Sequence, residues 1–405
     1  MRKKMKIAIV VPSNLPIPSI RGGAIETLVD ELIEINEQKK ILDIVVYSCK
    51  NEEAKRDAQR LKYTKIKYID GNSMAAHLFA QKRKIIKKFM KSGIAFDSWF
   101  LKETCQDIAK EQVDFVIIEG DKATAESVKK RINRPLILHL HNEMNKESNR
   151  AEQIANHVDY YFTVSDYIGK KVMGVPGVNK ESVFTIHNCV DTTSFDKTLY
   201  AKEREIIRNK FDIKKEDILL IFTGRIVPEK GVLELIKAVL KSSDRIKLMI
   251  LGTPTFDERK RTDYSREIEM AINQCKNKIF MTGYIEHKDI PQYYAAADIA
   301  VIPSLWEEPA GLTVFEPQAT GIPCIVTNSG GITEYCNEAT AIIVEKEKKI
   351  VVNELIEAIK TLEKSPQKRE ELGVNGRIYI QRYNTNNYYK EYVSALENLY
   401  EEENR

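Results

Sequence analysis

The 405-residue sequence has few cysteines, no long apolar run and almost no net charge. Its six cysteines form no C-x-x-C pair and fall far below the density of disulfide-stabilised domains, so we expect reduced thiols. No apolar run approaches the roughly 18 residues of a membrane-spanning helix, and the run at 7–11 is short for a signal peptide. The formal charge of +4 is too balanced to indicate nucleic-acid binding. We therefore expect a cytoplasmic protein with no nucleic-acid partner.

Three signatures that often mark a metal or cofactor site are also missing. The six histidines form no H-E-x-x-H pattern, and no D-x-D pair of carboxylates occurs. The glycines after the first apolar run do not form G-x-G-x-x-G, through which dinucleotide-binding proteins approach a pyrophosphate. We therefore expect no metal ion and no cofactor.

Short apolar runs rich in Ile and Val recur along the chain, separated by helical patterns such as 24–35 and 232–240. Continuous runs of this kind are typical of strands that are buried on both faces of a parallel sheet. Their alternation with helices predicts βαβ units. The predicted strands are 7–11, 44–47, 66–69, 115–118, 136–140, 160–164, 183–186, 218–222, 247–251, 279–281, 299–302, 323–326 and 341–344.

The predicted strands fall into two sets, with a charged, weakly patterned stretch between them near 190–203. We predict an α/β protein with two doubly wound Rossmann-like domains, residues 1–195 and 196–385. Ligands of such sheets bind beyond the carboxyl ends of the strands, so two domains facing each other would leave a cleft there. The last segment, 376–400, has the pattern of one long helix.

Two loops after predicted strands carry residues suited to phosphate. Gly22 and Gly23 open a helix, where backbone N–H groups and the helix dipole favour an anion, although glycine is common at such turns for steric reasons alone. Arg225 and Lys230 follow the first strand of the second half. An arginine fork and a lysine charge beside a helix start suit a diphosphate, and a solvated charged loop is the alternative.

A third loop carries a pair of glutamates. Glu308 lies in the loop after strand 299–302, and Glu316 lies eight residues later in the following helix. Gly311-Leu312-Thr313 stands at the expected helix start, where free N–H groups could receive a phosphate. One carboxylate could then bind a ribose diol while the other faces a sugar. The alternative is a helix cap and a surface acid, because such a spacing arises readily by chance.

Taken together and in order, these features resemble the family 4 glycosyltransferases, which have the two-domain GT-B fold. The likeness covers nearly the whole chain, and the glutamate-pair segment is its most specific part. The matching segments are Gly22-Gly23, His139-Leu140-His141-Asn142, Thr163-Val164-Ser165, Asn188-x-Val190-Asp191, Gly224-Arg225-x4-Lys230-Gly231, Ala297-Asp298-Ile299, Glu308-x7-Glu316 and Gly330-Gly331-Ile332-Thr333-Glu334.

The resemblance implies a role for each matching residue. Glu316 would grip the nucleotide ribose and Glu308 would contact the donor sugar. Arg225 and Lys230 would neutralise the diphosphate, and Gly23 would let the N-terminal loop close on the phosphates. The implied donor-binding set is Gly22, Gly23, Gly224, Arg225, Lys230, Gly283, Tyr284, Ile285, Glu308, Ala310, Gly311, Leu312, Thr313 and Glu316.

The resemblance also implies a catalytic set of His141, Glu308, Arg225 and Lys230. His139 is a rival to His141, because residues two apart on a strand share a face. We favour His141 because it is nearer the carboxyl end of the strand, and we expect His139 to pack in the core.

Two positions depart from the family pattern. Ala310 stands where an aromatic residue often precedes the glycine of the glutamate-pair loop, which puts the shape of the sugar pocket in question. Cys189 replaces the usual glycine of the segment that joins the domains. A C-terminal helix, 386–405, is implied to cross back to the first domain.

The implied reaction transfers a hexose from a nucleoside diphosphate sugar, with a UDP-sugar favoured, to an acceptor hydroxyl. It proceeds with retention at the anomeric carbon and without a metal, in the synthesis of a surface polysaccharide or glycolipid. The alternative is a non-catalytic coat or binding protein on the same scaffold, since fold alone does not establish activity. A GT-B epimerase or phosphorylase fits the glutamate-pair segment less well.

The acceptor side is expected in the first half, where residues 55–91 carry 12 basic and two acidic side chains. Within this stretch, 82–91 has apolar residues grouped on one side of a helical wheel and lysines on the other. The pattern suits docking on an anionic membrane, peripheral at its inner face, and a glycan or lipid-linked acceptor. A domain helix with solvated lysines and an acidic partner are the alternatives.

Overall fold

The computed structural model describes residues 4–20, 22–89, 98–144, 149–253, 263–273 and 278–404. Its contacts divide the chain into two compact units. The first unit comprises Met1–His187 and Thr385–Arg405, and the second comprises Asn188–Asn384. The sequence places the corresponding domain boundaries after residues 195 and 385.

The first unit is built on a seven-stranded parallel sheet in the order β3-β2-β1-β4-β5-β6-β7. Its strands are β1 Lys6–Val10, β2 Asp43–Cys49, β3 Thr64–Ile69, β4 Phe115–Glu119, β5 Leu136–Leu140, β6 Tyr160–Thr163 and β7 Val183–Thr185. The central strand β1 pairs on both sides, with Ile9 opposite Val46 and Ile117. All three side chains are fully buried, as the continuous apolar pattern predicts.

The second unit has a six-stranded parallel sheet in the order β10-β9-β8-β11-β12-β13. Its strands are β8 Ile218–Thr223, β9 Ile246–Leu251, β10 Ile279–Gly283, β11 Ile299–Ile302, β12 Cys324–Thr327 and β13 Ala341–Val344. The predicted α/β class with two parallel sheets is therefore confirmed.

Helices connect the strands in both units. They are α1 Ala24–Lys39, α2 Glu52–Asp57, α3 Met74–Phe89, α4 Trp99–Ile108, α5 Ala125–Lys129, α6 Asn149–Ala155, α7 Asp166–Met173, α8 Ala201–Lys210, α9 Val232–Leu240, α10 Asp263–Asn273, α11 Ile290–Ala296, α12 Leu312–Thr320, α13 Val351–Lys364, α14 Pro366–Ile380 and α15 Thr385–Glu403. Local chemistry fixes several starts; the Ser165 hydroxyl, for example, accepts the N–H of Ile168 at the start of α7. Helix α9 buries most of its residues in the core of the second unit, where each Leu or Ile side chain contributes about 1.5–3 kcal/mol.

Each sheet reverses its strand order once, between β1 and β4 in the first unit and between β8 and β11 in the second. A crevice opens at such a reversal because the connections on its two sides leave in opposite directions, and ligands of doubly wound sheets bind there. The loops that leave β8 and β11 are the ones that carry Arg225, Lys230 and Glu308.

The single long helix predicted for 376–400 is wrong. Helix α14 ends at Ile380, a 3₁₀ turn follows at Gln381–Tyr383, and α15 begins at Thr385. The carbonyl of Tyr383 accepts the N–H of Val190, and Asn384 forms an isolated parallel bridge with Val190. The backbone at this point therefore pairs with an extended segment and cannot continue a helix.

No helix in the described ranges is both long and apolar enough to cross a membrane. The predicted basic helix 82–91 falls on α3 as far as Phe89, whereas residues 90 and 91 lie outside the described residues.

Candidate functional site

The second unit brings two loops together at its strand-order reversal. The loop after β8 makes a 3₁₀ turn at Pro228–Lys230 and ends at Gly231, which has a φ of +66°. A Cβ on Gly231 would lie 2.0 Å from the carbonyl oxygen of Pro303, in the loop after β11. Only glycine allows this approach, since it tolerates the left-handed conformation and leaves room for the neighbouring backbone. The two loops therefore approach each other through backbone atoms at this point.

Glu308 and Lys230 form a nearly buried ion pair between these loops. The Lys230 Nζ and the Ser304 hydroxyl each lie 2.5 Å from Glu308 Oε1, and both donate to it. The side chains of Lys230 and Glu308 are 19% and 5% exposed. Two of the four residues that the resemblance assigns to catalysis, Lys230 and Glu308, are therefore joined, and Ser304, which the sequence did not single out, completes the cluster.

The backbone of Glu308 is also held in place. Its N–H donates to the Ser329 hydroxyl at 3.3 Å, and its carbonyl accepts the N–H of Gly331 at 2.7 Å. Gly330 has a φ of +52°, and a Cβ there would lie 2.2 Å from the Glu308 carbonyl oxygen. The Gly330-Gly331 motif therefore fixes the backbone of the glutamate loop.

Arg225 lies in the same loop as Lys230 and is exposed. In the parts of the chain that the structure describes, its guanidinium forms no hydrogen bond and no ion pair, whereas Lys230 is paired with Glu308. A free arginine fork can bind a phosphate without first breaking a contact.

The start of α12 is open to an anion. Gly311, at a φ of +70°, precedes the helix, and within the described residues no side-chain cap hydrogen bond forms there. Leu312 and Thr313 are the first helical residues, as predicted, and buried Ala310 comes just before Gly311. Uncapped N–H groups and the positive end of the helix dipole favour a negatively charged ligand at this position.

Glu316 lies further along α12 and is held by two residues that the sequence did not indicate. The Glu316 Oε1 is 3.1 Å from His287 Nε2, and its Oε2 accepts a hydrogen bond of 3.0 Å from the Tyr294 hydroxyl. Burial, and next the charge of Glu316, raise the pKa of Tyr294 well above its usual value, so this phenol remains a donor. His287 follows Gly283, Tyr284 and Ile285 in the chain, so the loop that contains this segment leads to the contact of His287 with Glu316.

In the first unit, the carboxyl ends of β4 and β5 bring Glu119, His139 and His141 together. The Glu119 Oε2 lies 2.7 Å from His141 Nε2 and 3.0 Å from His139 Nδ1. Burial opposes ionisation of Glu119, but its contacts with His139 and His141 outweigh that effect and lower its pKa to about 2. Burial and the neighbouring His139 lower the pKa of His141, which favours a neutral imidazole near pH 7. The three side chains offer ligand atoms of the type that zinc uses, within 4.8 Å of one another.

Gly22 and Gly23 precede α1 with φ values of +69° and +110°. A Cβ on Gly23 would lie 2.2 Å from the Glu26 Oε2, so a buried carboxylate that the sequence did not indicate stands beside this loop. An ionised Glu26 would oppose a phosphate there. Burial, followed by the charges of Asp30 and Glu119, raises the pKa of Glu26 and so favours its neutral form.

A known family model matches most of the second unit. Residues 203–379 match the family model of glycosyl transferases group 1. The matched range contains Arg225, Lys230, Glu308 and Glu316. The predicted likeness is therefore confirmed at the level of glycosyltransferases of group 1, whereas membership of family 4 stays a prediction.

Individual relatives extend the match to most of the chain. Spore coat protein SA of Bacillus subtilis is 25% identical over 92% of this chain and 94% of its own length. A GDP-mannose-dependent monoacylated alpha-(1-6)-phosphatidylinositol monomannoside mannosyltransferase of Corynebacterium glutamicum is 29% identical over 44% of this chain and 47% of its own. The crystal structure of Anabaena HepE in complex with UDP-glucose superposes with a TM-score of 0.77 at 17% identity, covering 97% of this chain and 100% of that one. At that identity the likeness shows a shared GT-B fold.

Proposed function

We propose that this protein is a retaining glycosyltransferase that moves a hexose from a nucleoside diphosphate sugar to an acceptor hydroxyl. The observation that carries the proposal is the arrangement at the β8/β11 reversal. Arg225, which has no partner among the described residues, and Lys230, paired with Glu308, lie there on neighbouring loops, and the start of α12 without a side-chain cap follows. We propose a UDP-sugar as donor, and no metal ion or cofactor, in polysaccharide or glycolipid synthesis. HepE, whose fold this chain shares, was solved with UDP-glucose bound.

The chemistry follows from where charge develops. When the bond between the anomeric carbon and the diphosphate oxygen breaks, its electron pair stays on the diphosphate, which becomes more negative. Arg225, Lys230 and the N–H groups at the start of α12 would stabilise that charge from fixed positions. Lys230 would exchange part of its contact with Glu308 for the phosphate, which leaves Glu308 free to accept a hydroxyl of the donor sugar.

Glu316 is suited to a ribose. His287 and Tyr294 contact one carboxylate oxygen each, which fixes the orientation of the group. Each oxygen keeps a second lone pair, so the carboxylate can accept both hydroxyls of a ribose diol. On the first unit, we propose roles in the reaction for His141, Gly22 and Gly23, as the resemblance implies.

Donor binding is the first test. A nucleotide sugar at a hundredfold excess over its Kd should stabilise the protein by about 2.7 kcal/mol, and so raise the Tm in a thermal-shift screen. Glu316→Ala should abolish the shift, because the ribose loses its acceptor. Glu357→Ala, which removes an exposed helix glutamate of the same unit, should retain it. Failure of every nucleotide sugar to raise the Tm would contradict the proposal, and release of nucleoside diphosphate on turnover would support it.

A non-catalytic coat protein is the second candidate, because spore coat protein SA matches over 94% of its length. The two candidates differ in turnover. A coat or binding protein could shift its Tm with a nucleotide and still release no sugar, whereas a transferase must consume the donor when acceptor is present.

We propose a glycan or lipid-linked acceptor and peripheral docking on the cytoplasmic face of an anionic membrane through α3. Met74 and Leu78, one turn apart, are 81% and 53% exposed at the start of this helix, and Lys82 and Lys84 are exposed further along it. Exposed apolar side chains followed by cations suit the headgroup boundary of an anionic bilayer.

Vesicle sedimentation tests this surface. Vesicles rich in phosphatidylserine should pull the protein down at low salt, and high salt should release it. Replacing Lys82 and Lys84 with glutamate should weaken partitioning by at least about 30-fold, because each lysine contributes about 1 kcal/mol near such a surface and each new carboxylate is repelled by it. The same change at Lys202 and Lys215, exposed lysines of the second unit, is the control. If both double variants lost vesicle binding equally, only the net charge of the protein would matter, and the proposal that α3 docks on the membrane would be contradicted.

A further inference from the structure

Glu119, His139 and His141 form a buried cluster at the carboxyl ends of β4 and β5. Donor binding by the second unit does not require this cluster. Glu119 lies opposite His139 in the β4–β5 register, and His141 follows immediately after β5. The carboxylate of Glu119 is almost completely buried, and in the described part of the chain it is contacted by ring nitrogens of His139 and His141. A buried carboxylate is costly unless it is paired, so this contact should have a strong influence on the imidazoles.

We propose that Glu119 is a positioning residue that fixes the tautomer of His141. An ionised carboxylate only accepts hydrogen bonds, so His141 Nε2, at 2.7 Å, must carry the proton. In a neutral imidazole the other nitrogen then has a lone pair. His141 therefore presents Nδ1 as an acceptor, and the group it recognises is a hydroxyl donor such as a sugar hydroxyl. The link to sugar transfer rests on the proposed function, whereas the tautomer itself does not.

His139 supports this arrangement from the core and does not compete for the ligand. It is fully buried, its ring centroid lies 4.4 Å from that of His141, and its edge meets the rings of Phe162 and Tyr392. Its Nδ1 lies 3.0 Å from the Glu119 oxygen but outside hydrogen-bond angles, and neither ring nitrogen has a hydrogen-bond partner in the described ranges. His141 keeps 8% of its side chain exposed.

The distances favour a shared proton over a metal ion. Zinc bonds of about 2.0–2.1 Å in tetrahedral geometry separate two ligand atoms by about 3.3 Å. The observed 2.7 Å between Glu119 Oε2 and His141 Nε2 is the length of a charge-assisted hydrogen bond. Among the residues that the structure describes, Glu26 on α1 and Tyr392 on α15 also interact electrostatically with Glu119, and both are buried.

Nitrogen NMR of the full chain, labelled with ¹⁵N-histidine, tests the tautomer without any need for activity. We expect His141, assigned by its loss in His141→Asn, to carry a slowly exchanging proton on Nε2 and none on Nδ1. Glu119→Gln should remove the exchange protection or move the proton to Nδ1. Glu37→Gln, which changes a carboxylate that accepts the N–H groups of Lys62 and Thr64, should leave the signal unchanged.

Three results would overturn the proposal. They are a proton on Nδ1 in the unmodified protein, an unchanged Nε2 proton in Glu119→Gln, and displacement of that proton by added zinc. The first and third need no variant, so they stand even if Glu119→Gln does not fold.

Turnover separates this inference from the proposed function. Glu119→Gln should lower kcat at least about tenfold, with KM for the donor changed less than about threefold. A proton on the wrong nitrogen of His141 weakens stabilisation of the transition state more than it weakens donor binding. The expected tautomer with unchanged kcat would refute the link to catalysis. No turnover by the unmodified protein with any donor would refute the proposed function and leave the NMR result valid.

Discussion

Replacing Lys230 with methionine should lower kcat by about 10²–10³-fold, the loss expected when one fixed donor to a developing anion is removed. It should also destabilise the second unit by about 3 kcal/mol. Lys230 Nζ is the cation of a nearly buried pair, and its removal strands the charge of Glu308 in a site that is 5% exposed. Turnover of a verified donor and urea unfolding without ligand measure the two effects separately.

A double variant distinguishes chemistry from stability. In Lys230→Met with Glu308→Gln, the stranded charge is gone, so stability should recover by most of the loss while kcat stays low. If turnover recovered together with stability, Lys230 would act only as the partner of Glu308, and its role on the diphosphate would be wrong.

Arg225→Ala is the matched comparison. The side chain is exposed and forms no hydrogen bond or ion pair within the described residues, so the free energy of unfolding should change by less than about 0.5 kcal/mol. A charge-assisted contact to the donor is worth about 1.5–3 kcal/mol, so turnover should fall about 10- to 150-fold. Arg225 and Lys230 thus lie in the same loop, but loss of Arg225 should reduce activity alone, whereas loss of Lys230 should reduce activity and stability together.

The positions of the strands could be predicted from sequence because a strand buried on both faces must be apolar at every position. All thirteen predicted strands occur among the described residues, with ends shifted by at most two positions. The loops with candidate site residues could then be located, because they begin where the strands end. Their glycines and cations are easily distinguished from the apolar runs. The likeness to glycosyltransferases then assigned roles to them.

The partners of the site residues could not be predicted in this way. Ser304, His287 and Tyr294 contact the glutamates through strand and helix packing, and none lies in an unusual local pattern. Glu119 was missed because the apolar run of its strand ends one residue earlier, at Ile118. The break between α14 and α15 was missed because it depends on Val190, which is almost 200 residues away in the chain.

Gly330→Ala should destabilise the second unit by about 2–5 kcal/mol, the sum of a forced left-handed conformation and a steric overlap. The new Cβ would lie 2.2 Å from the carbonyl oxygen of Glu308 and 2.8 Å from its nitrogen, and backbone atoms cannot rotate away as a side chain could. For a domain of about 200 residues the Tm should fall by about 2–4 °C for each kcal/mol, which urea unfolding can check independently.

Gly283→Ala separates the two contributions. Gly283 also has a positive φ, +74°, but a Cβ there would meet nothing within 4 Å, so only the conformational cost of about 1–2 kcal/mol should remain. An equal loss in both variants would show that the contact of Gly330 with Glu308 is not tight. A larger loss at Gly330 would show that the Gly330-Gly331 motif is needed to hold the Glu308 backbone. The same backbone aims the carboxylate at Lys230, so the motif would then support the catalytic pair.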